Sequence, residues 1–473
     1  MLISHVVVVQ KKAMAIKIYN TLSKNIETFK PLKAGEVSMY HCGPTVYDRA
    51  HVGNLRTYVF ADTLRRVFEY NDYNVNQVIN ITDIGHLVSD GDDGEDKMTK
   101  ALKREGKPLT IEAMNDIATK YFLAFENDLK AMNIKFPNQF PRASEHVAED
   151  IELVQELEKK SAVYQTALGI YFDTSKFKGY GMLGNIKIDA ENSKARISEN
   201  LEKKNPADFC VWKFDKNIGW ESPWGKGFPG WHIECSAMSR KYLGQPFDIH
   251  IGAIDLIPIH HNNEIAQSET AYGCPLANYW MHSEFLNMDS GKMSKSKGVF
   301  ITLDSLLQET ISPISYRYWL FTSHYRSPVN FSYDAVKAAQ NALIRLISLF
   351  SDYPGGGSII SAYKERFMSY INNDLNMPKA IALCWDLIKD TEYPDADKRA
   401  TILDFDKVFG LNLDSAKKVD EESIPAEITA LAEARNEARK NKEWEKADAL
   451  RQEIEGRGFT VRDIGENFEL RHI

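Results

Sequence analysis

A change of hydrophobic period near the amino end restricts the fold of this chain more than any other feature. Val37 to Cys42 reads as a buried strand, Leu55 to Tyr70 repeats its apolar residues at helical spacing, and Val75 to Thr82 returns to a strand pattern. Strand, helix and strand at this spacing form a βαβ unit, and such units build parallel sheets covered by helices. Between the first strand and its helix lies Gly43-Pro44-Thr45-Val46-Tyr47-Asp48. This turn-rich segment follows the carboxyl end of a strand, where open α/β sheets bind ligands. The alternation resumes with helix His232 to Leu243, strand Phe247 to Ile251, helix His260 to Tyr272 and strand Trp280 to Asn287.

The expected fold is therefore α/β, a Rossmann-like parallel sheet in two halves with an insertion between them. The first half spans 15–109 and the insertion 110–222, with helices Ile111 to Met132 and Ser144 to Lys160 and a hairpin-like Ile170 to Ile186. The second half spans 223–312, a helical domain 313–416 and a small C-terminal α/β domain 417–473. That last piece reads as a helical pair of alternating charge followed by β-like Gly458 to Arg462 and Asn467 to Arg471. Asp90 to Asp96 reads as an exposed loop, Tyr353 to Gly357 as a break between helices, and Lys417 to Pro425 as a linker. Residues 1–14 form an N-terminal extension, and Met14, just ahead of the strand-like Ile16 to Tyr19, is an alternative start.

Composition excludes several classes. At 43% hydrophobic and 26% charged, the 473 residues match an ordinary water-soluble protein of several domains. No apolar run approaches the length of a membrane span. The apolar Val6 to Val9 lacks a basic flank and a small-residue cleavage site, so no signal peptide is expected. Five widely spaced cysteines (Cys42, Cys210, Cys235, Cys274, Cys384) are an odd number, which argues for a reducing, cytoplasmic setting and for thiols used in chemistry or metal binding. A net charge of −8 neither announces nor excludes an RNA partner, because a reader of folded RNA can confine its basic residues to one face.

Three groups of residues carry chemistry. His51-Val52-Gly53-Asn54 sits where a loop meets a helix amino end, a place suited to phosphate, although alone it is equally a helix cap. Lys292-Met293-Ser294-Lys295-Ser296-Lys297-Gly298 packs lysines, hydroxyls and glycine into one loop, a composition for polyphosphate or for a solvated surface. Cys42, Cys235, His260 and Glu264 make a reasonable metal shell, with His260 and Glu264 four apart on one helix face. The spacing is not that of a zinc finger, and buried thiols beside a helix-face ion pair also fit it.

The paired signatures resemble those of class I aminoacyl-tRNA synthetases, with Lys292 to Ser296 intact and the first signature departing from His-Ile-Gly-His at Val52 and Asn54. By that resemblance His51, Asn54, Lys292 and Lys295 hold the ATP phosphates during attack of an amino acid carboxylate, and Gly43, Thr45, Tyr47, Gly53, Ser294 and Ser296 complete the ATP site with magnesium. The strings HCGPTVYD, PGWHIECSAM, FDIHIGAIDL and HHNNEIAQSE closely resemble the cysteinyl-tRNA synthetase family, in order and over nearly the whole chain. The resemblance implies one zinc on Cys42, Cys235, His260 and Glu264 that takes the sulfur of L-cysteine, with Thr82, Trp231 and Asp255 around the substrate. It also implies tRNA(Cys) as partner and a monomer. His250 and His261 remain either supports of the metal ligands or satisfied core histidines. A cysteine ligase of mycothiol synthesis shares the zinc and ATP motifs but lacks the C-terminal end carried here by Ala434 to Arg439, Trp444, Asp448 to Arg451 and Gly458. A noncatalytic RNA-binding paralogue would have lost parts of the ATP site. Two departures flank the pocket: Gly85-His86-Leu87 and a Gly/Asp-rich loop intervene before Glu95-Asp96-Lys97, and Pro258-Ile259 stands where Phe-Pro is usual before His260.

Overall fold

A computed structural model describes residues 14–84, 97–186, 202–288, 291–292, 300–414, 425–457, 459–464 and 467–472. A short antiparallel pair, β1 (Lys17–Asn20) and β2 (Asn25–Thr28), leads to β3 (Glu36–His41), α1 (Val52–Tyr70) and β4 (Asn74–Ile79). Helices α2 (Lys97–Arg104), α3 (Ile111–Ala131) and α4 (Val147–Lys159) follow. The chain continues in an antiparallel sheet of β5 (Val163–Gln165), β6 (Gly169–Phe172), β7 (Phe209–Phe214) and β8 (Gly227–Pro229). Next come α5 (Trp231–Leu243), β9 (Phe247–Ala253), α6 (Asn262–Tyr272) and β10 (Ala277–Ser283). Strands β11 (Leu286–Met288) and β12 (Gly291–Lys292) precede α7 (Leu303–Gln308), α8 (Pro313–Phe321) and β13 (Val329–Asn330). Helices α9 (Tyr333–Ser351), α10 (Ser361–Ile371), α11 (Met377–Lys389) and α12 (Asp395–Phe409) form the helical region. A unit of α13 (Ala426–Lys440), α14 (Trp444–Gly456) and the hairpin β14 (Phe459–Ile464) and β15 (Asn467–His472) closes the chain around Ile428, Ala432, Ile454, Phe459 and Val461.

The central sheet runs β10-β9-β3-β4 with every pair parallel. The chain builds outward from β3 to β4, then from β9 to β10 on the other side, so the winding reverses between β3 and β9. In such sheets the crevice beyond the carboxyl ends at the reversal is the binding position. β9 is buried along nearly its whole length, as a parallel strand covered on both faces must be.

Helix α1 crosses the core and carries a charged lock on its buried side. Asp62 Oδ2 accepts from Arg66 Nε at 2.7 Å and from Arg317 of α8 at 2.5 Å, and Asp62 Oδ1 accepts from the Lys135 amide at 2.9 Å. Arg317 also donates to the Phe409 and Met132 carbonyls, and Arg66 to those of Lys407 and Asn133. Burial alone would push the Asp62 carboxyl up, but Arg317 and Arg66 outweigh it and hold the group below the ordinary aspartate range.

Two sequence expectations need correction. Ile170 to Ile186 does not form a hairpin: β6 pairs instead with β5 and β7, and the rest makes tight turns at Thr174–Lys176 and Leu183–Asn185. Gly181 and Gly184 take φ of 85° and 79° there, left-handed values that no strand accommodates. The strand expected over Trp280 to Asn287 breaks at Glu284 and Phe285, beyond which β11 joins β12 and β13 in a separate sheet. The expected loop Asp90 to Asp96, nearly all of the linker Lys417 to Pro425, Gly85-His86-Leu87 and residues 1–13 lie outside the described residues. Among the described residues no helix is long and apolar enough to cross a membrane.

Candidate active site and metal centre

His51 starts α1 as a reciprocal cap. Its Nδ1 accepts from the Asn54 amide at 3.0 Å, while the Asn54 side-chain oxygen accepts from the His51 amide at 3.4 Å. Asn54 thus uses its carbonyl to close the turn, and the positive end of α1 opens onto a cavity of about 720 Å³. Gly43, Thr45, Tyr47, His51, Gly53 and Asn54 all line it. Gly43 is required by contact: a Cβ there would lie 1.4 Å from the Asn80 carbonyl oxygen. Thr45 forms a parallel bridge with Thr82, so the segment after β3 continues alongside the end of β4.

The hairpin of β11 and β12 brings Lys292 opposite Asn287. Ser294, Lys295 and Ser296 lie outside the described residues. Where the chain resumes, the Phe300 ring stands edge-on to His51 at 5.9 Å and the Ile301 carbonyl accepts from the Val52 amide at 2.8 Å. Phe300 and Ile301 are therefore tied to the first turn of α1.

Cys42, Cys235, His260 and Glu264 converge, with one ligand-type atom from each within 4.8 Å of all the others. Cys42 follows β3, Cys235 lies on α5 and Glu264 on α6. His260 belongs to a wider, π-helical turn, Ile257–His261, that precedes α6 where a regular helix was expected. Such turns recur at functional sites. The His260 Nε2 to Glu264 Oε1 separation is 3.0 Å, that between the two sulfurs 3.8 Å, and Cys42 Sγ lies 3.6 Å from Glu264 Oε1.

The charges of this cluster are set by its own members. Burial pushes the Glu264 carboxyl up, yet His250 and His260 draw it down to about 2. Burial likewise opposes charge on His260, but Glu264 and Cys235 raise it to about 10. The Cys42 hydrogen bond, aided by His260, draws the Cys235 thiol down, whereas burial and the neighbouring Cys235 push Cys42 up. The cluster thus gathers anionic sulfur and carboxylate around a single imidazolium, a buried arrangement that favours a cation. Thiolate, imidazole and carboxylate are also the donor types of zinc.

Three histidines outside the expected ligand set steady it. His250 Nε2 bonds Glu264 Oε2 at 2.8 Å. His261 Nε2 lies 3.4 Å from Cys42 Sγ, while its Nδ1 bonds His282 Nε2 and His282 Nδ1 bonds Thr21 Oγ1, each at 2.8 Å. His250 and His261 with Cys42 and Glu264 make a second group of ligand-type atoms within 4.8 Å of one another. Gly252 makes room for this chain, since a Cβ there would lie 2.5 Å from His261 Cε1. His282 escaped the sequence reading; its signal is its place near the end of the strand beside β9.

Thr82, Trp231 and Asp255 all line the cavity. The Thr82 hydroxyl donates to Glu234 Oε2 at 3.1 Å and accepts from Asn80 Nδ2 at 3.3 Å. Trp231 opens α5 and packs 4.7 Å from the His260 ring, and Asp255 sits in the turn that ends β9. Sequence reasoning named Lys97 only after the Gly/Asp-rich loop that flanks the pocket and passed over Lys100; both enter the same lining from α2.

A capped helix at the reversal point of a parallel sheet, an insertion between the halves, and a later segment at Phe300 and Ile301 that returns to that cap define the catalytic fold of a class I aminoacyl-tRNA synthetase. Residues 28–341 match a family described as tRNA synthetases class I (C) catalytic domain, and residues 421–471 match the cysteinyl-tRNA ligase anticodon binding domain. Among solved structures, a LeuRS of Agrobacterium radiobacter K84 in ternary complex with tRNA and LeuAMS has a TM-score of 0.59 at 9% identity, covering 81% of this chain and 84% of its own. Mycobacterium tuberculosis methionyl-tRNA synthetase with methionyl-adenylate has a TM-score of 0.53 at 16% identity, covering 80% and 90%. Both likenesses speak for the fold. Cysteine–tRNA ligase 1 of Burkholderia lata is 45% identical over 97% of each chain, and cysteine–tRNA ligase of Treponema denticola is 40% identical over 95% of this chain and 98% of its own. The chain belongs to the cysteine–tRNA ligase family: it activates cysteine with ATP and transfers it to tRNA. The matched anticodon-binding end weighs against an amino-sugar acceptor, and the catalytic match against a noncatalytic paralogue.

Proposed function

We propose that Cys42, Cys235, His260 and Glu264 hold one zinc ion, and that this site selects L-cysteine for adenylation and transfer to tRNA(Cys). The observation that carries the reading is the convergence of these four donors beside the cavity onto which the His51 cap opens. When bound, zinc supplies a Lewis-acid site that favours the substrate's thiolate over the hydroxyl of serine. An apolar pocket alone discriminates such a small difference by only about 1 to 3 kcal/mol. Trp231 walls the substrate, while Thr82 and Asp255 receive its amino end. His51 and Asn54, with Gly43, Thr45, Tyr47 and Gly53, cradle ATP with its magnesium at the amino end of α1. Lys292, Ser294, Lys295 and Ser296 bind the phosphates and stabilise charge as the carboxylate attacks. The monomeric state and cytoplasmic setting follow the sequence resemblance.

Exchange of labelled pyrophosphate into ATP tests the reading. Cysteine is expected to drive exchange and serine not, chelation to abolish it, added zinc to restore it, and the same protein to charge tRNA(Cys). Exchange that survives complete removal of the metal would overturn the zinc assignment.

A further inference from the structure

Helix α2 carries Lys97, Lys100, Lys103 and Arg104 along one short length, with Met98, Ala101 and Leu102 buried beneath it. Residues three apart share a helix face, and Lys97 and Lys100 both reach the cavity lining. Arg104 pins the far end to the ATP-side loop, donating to Asp48 Oδ2 at 3.0 Å and to the Tyr47 carbonyl at 2.9 Å. At the near end the half-buried Lys97 places its ammonium 4.9 Å from the centroid of the Trp231 ring, and that ring packs 4.7 Å from His260. This is a cation–π distance, so the indole steadies the charge. Helix α2 therefore runs as a basic wall from the metal ligands to the nucleotide loop.

A substrate whose sulfur lies at the ligand cluster has its carboxylate only a few bonds away. That carboxylate must approach a phosphate that is itself anionic, and the repulsion is strong in a partly desolvated cavity. Among the described lining residues, the arginine and lysine side chains are Arg49, Lys97 and Lys100. Arg49 is committed to Asp128 at 3.0 Å and to Asp304 at 2.6 and 3.1 Å, which hold the loop before α1. Lys97 is the lysine that stands beside Trp231, at the amino acid end.

We propose that Lys97 receives the α-carboxylate of the bound amino acid and holds it for attack. This rests on the metal site proposed for the substrate sulfur. In the step it serves, a carboxylate oxygen bonds to the α-phosphorus, the bond between the α-phosphorus and the bridging oxygen breaks, and pyrophosphate leaves with the electron pair. No proton moves, so the lysine acts by position and charge.

Cysteamine, which is cysteine without the carboxylate, isolates this contact. Calorimetry on the zinc-loaded full chain compares the affinities for cysteine and cysteamine in wild type, Lys97→Gln and Lys97→Arg. Lys97→Gln is expected to reduce the preference for cysteine by about tenfold to a hundredfold, the range for a charge-assisted hydrogen bond, while cysteamine binding stays within about twofold. Lys97→Arg should keep most of the preference. Equal losses for both ligands, or an unchanged preference, would overturn the assignment. A wild type that binds neither ligand strikes the metal-site reading and this one together, whereas with a normal wild type the variants report on Lys97 alone.

Discussion

Asp62 and Glu264 are both carboxylates at 1% exposure or less, and each is held below its ordinary range by two basic side chains against the effect of burial. Their surroundings nonetheless differ in kind. Arg66 and Arg317 also donate to backbone carbonyls, so the partners that hold Asp62 are themselves tied to the protein. Glu264 is matched by His250 and His260, side chains that can exchange a proton for a metal, and it stands beside two thiols and a cavity. The first network has its partners and serves the fold. The second concentrates ligand atoms whose charge a metal would settle, and it serves a guest.

That contrast can be broken from either side. Cys235→Ala should remove stoichiometric zinc and cysteine-dependent pyrophosphate exchange while leaving the urea midpoint of the metal-free protein close to wild type. Unfolding of this variant without metal would assign the cluster to the core. Asp62→Asn should do the reverse, costing about 3 to 5 kcal/mol by leaving Arg317 and Arg66 buried without a counter-charge, with exchange per folded molecule retained. Chemical denaturation read alongside active-site titration separates the two effects. The smallest change sharpens the comparison: His250→Phe keeps the ring against Trp280, 4.4 Å away, but deletes the bond to Glu264. Zinc affinity measured with a competing chelator should fall about 10- to 100-fold, as for other supports of metal ligands. An unchanged affinity would mean that His250 only packs.

The parallel sheet was legible because short strand-like runs alternate with segments of helical period, and the placement of β3, α1 and β9 follows from that alternation. Cys42, Cys235, His260 and Glu264 were legible as candidates by residue type and by family resemblance, since nothing in a spacing of 193 residues between the two cysteines predicts contact. The Thr21, His282 and His261 chain was not legible: it depends on the register of β10 against β9 and on the absence of a side chain at Gly252, which only the folded sheet reveals. Lys97 was hidden differently. Its importance comes from the face that α2 turns to the cavity, and a charge run on a short amphipathic helix ordinarily reads as solvated surface.

The reversal of winding between β3 and β9 also sets a schedule. Cys42 is made early, but its partner sulfur follows 193 residues later. At about 5 to 20 residues per second, a nascent chain carries the first donor alone for roughly 10 to 40 seconds before the others emerge. During that interval β3 and β4 can pair while the proposed ion site cannot exist, so a ribosome-bound chain that ends before Cys235 should take up no metal at this site.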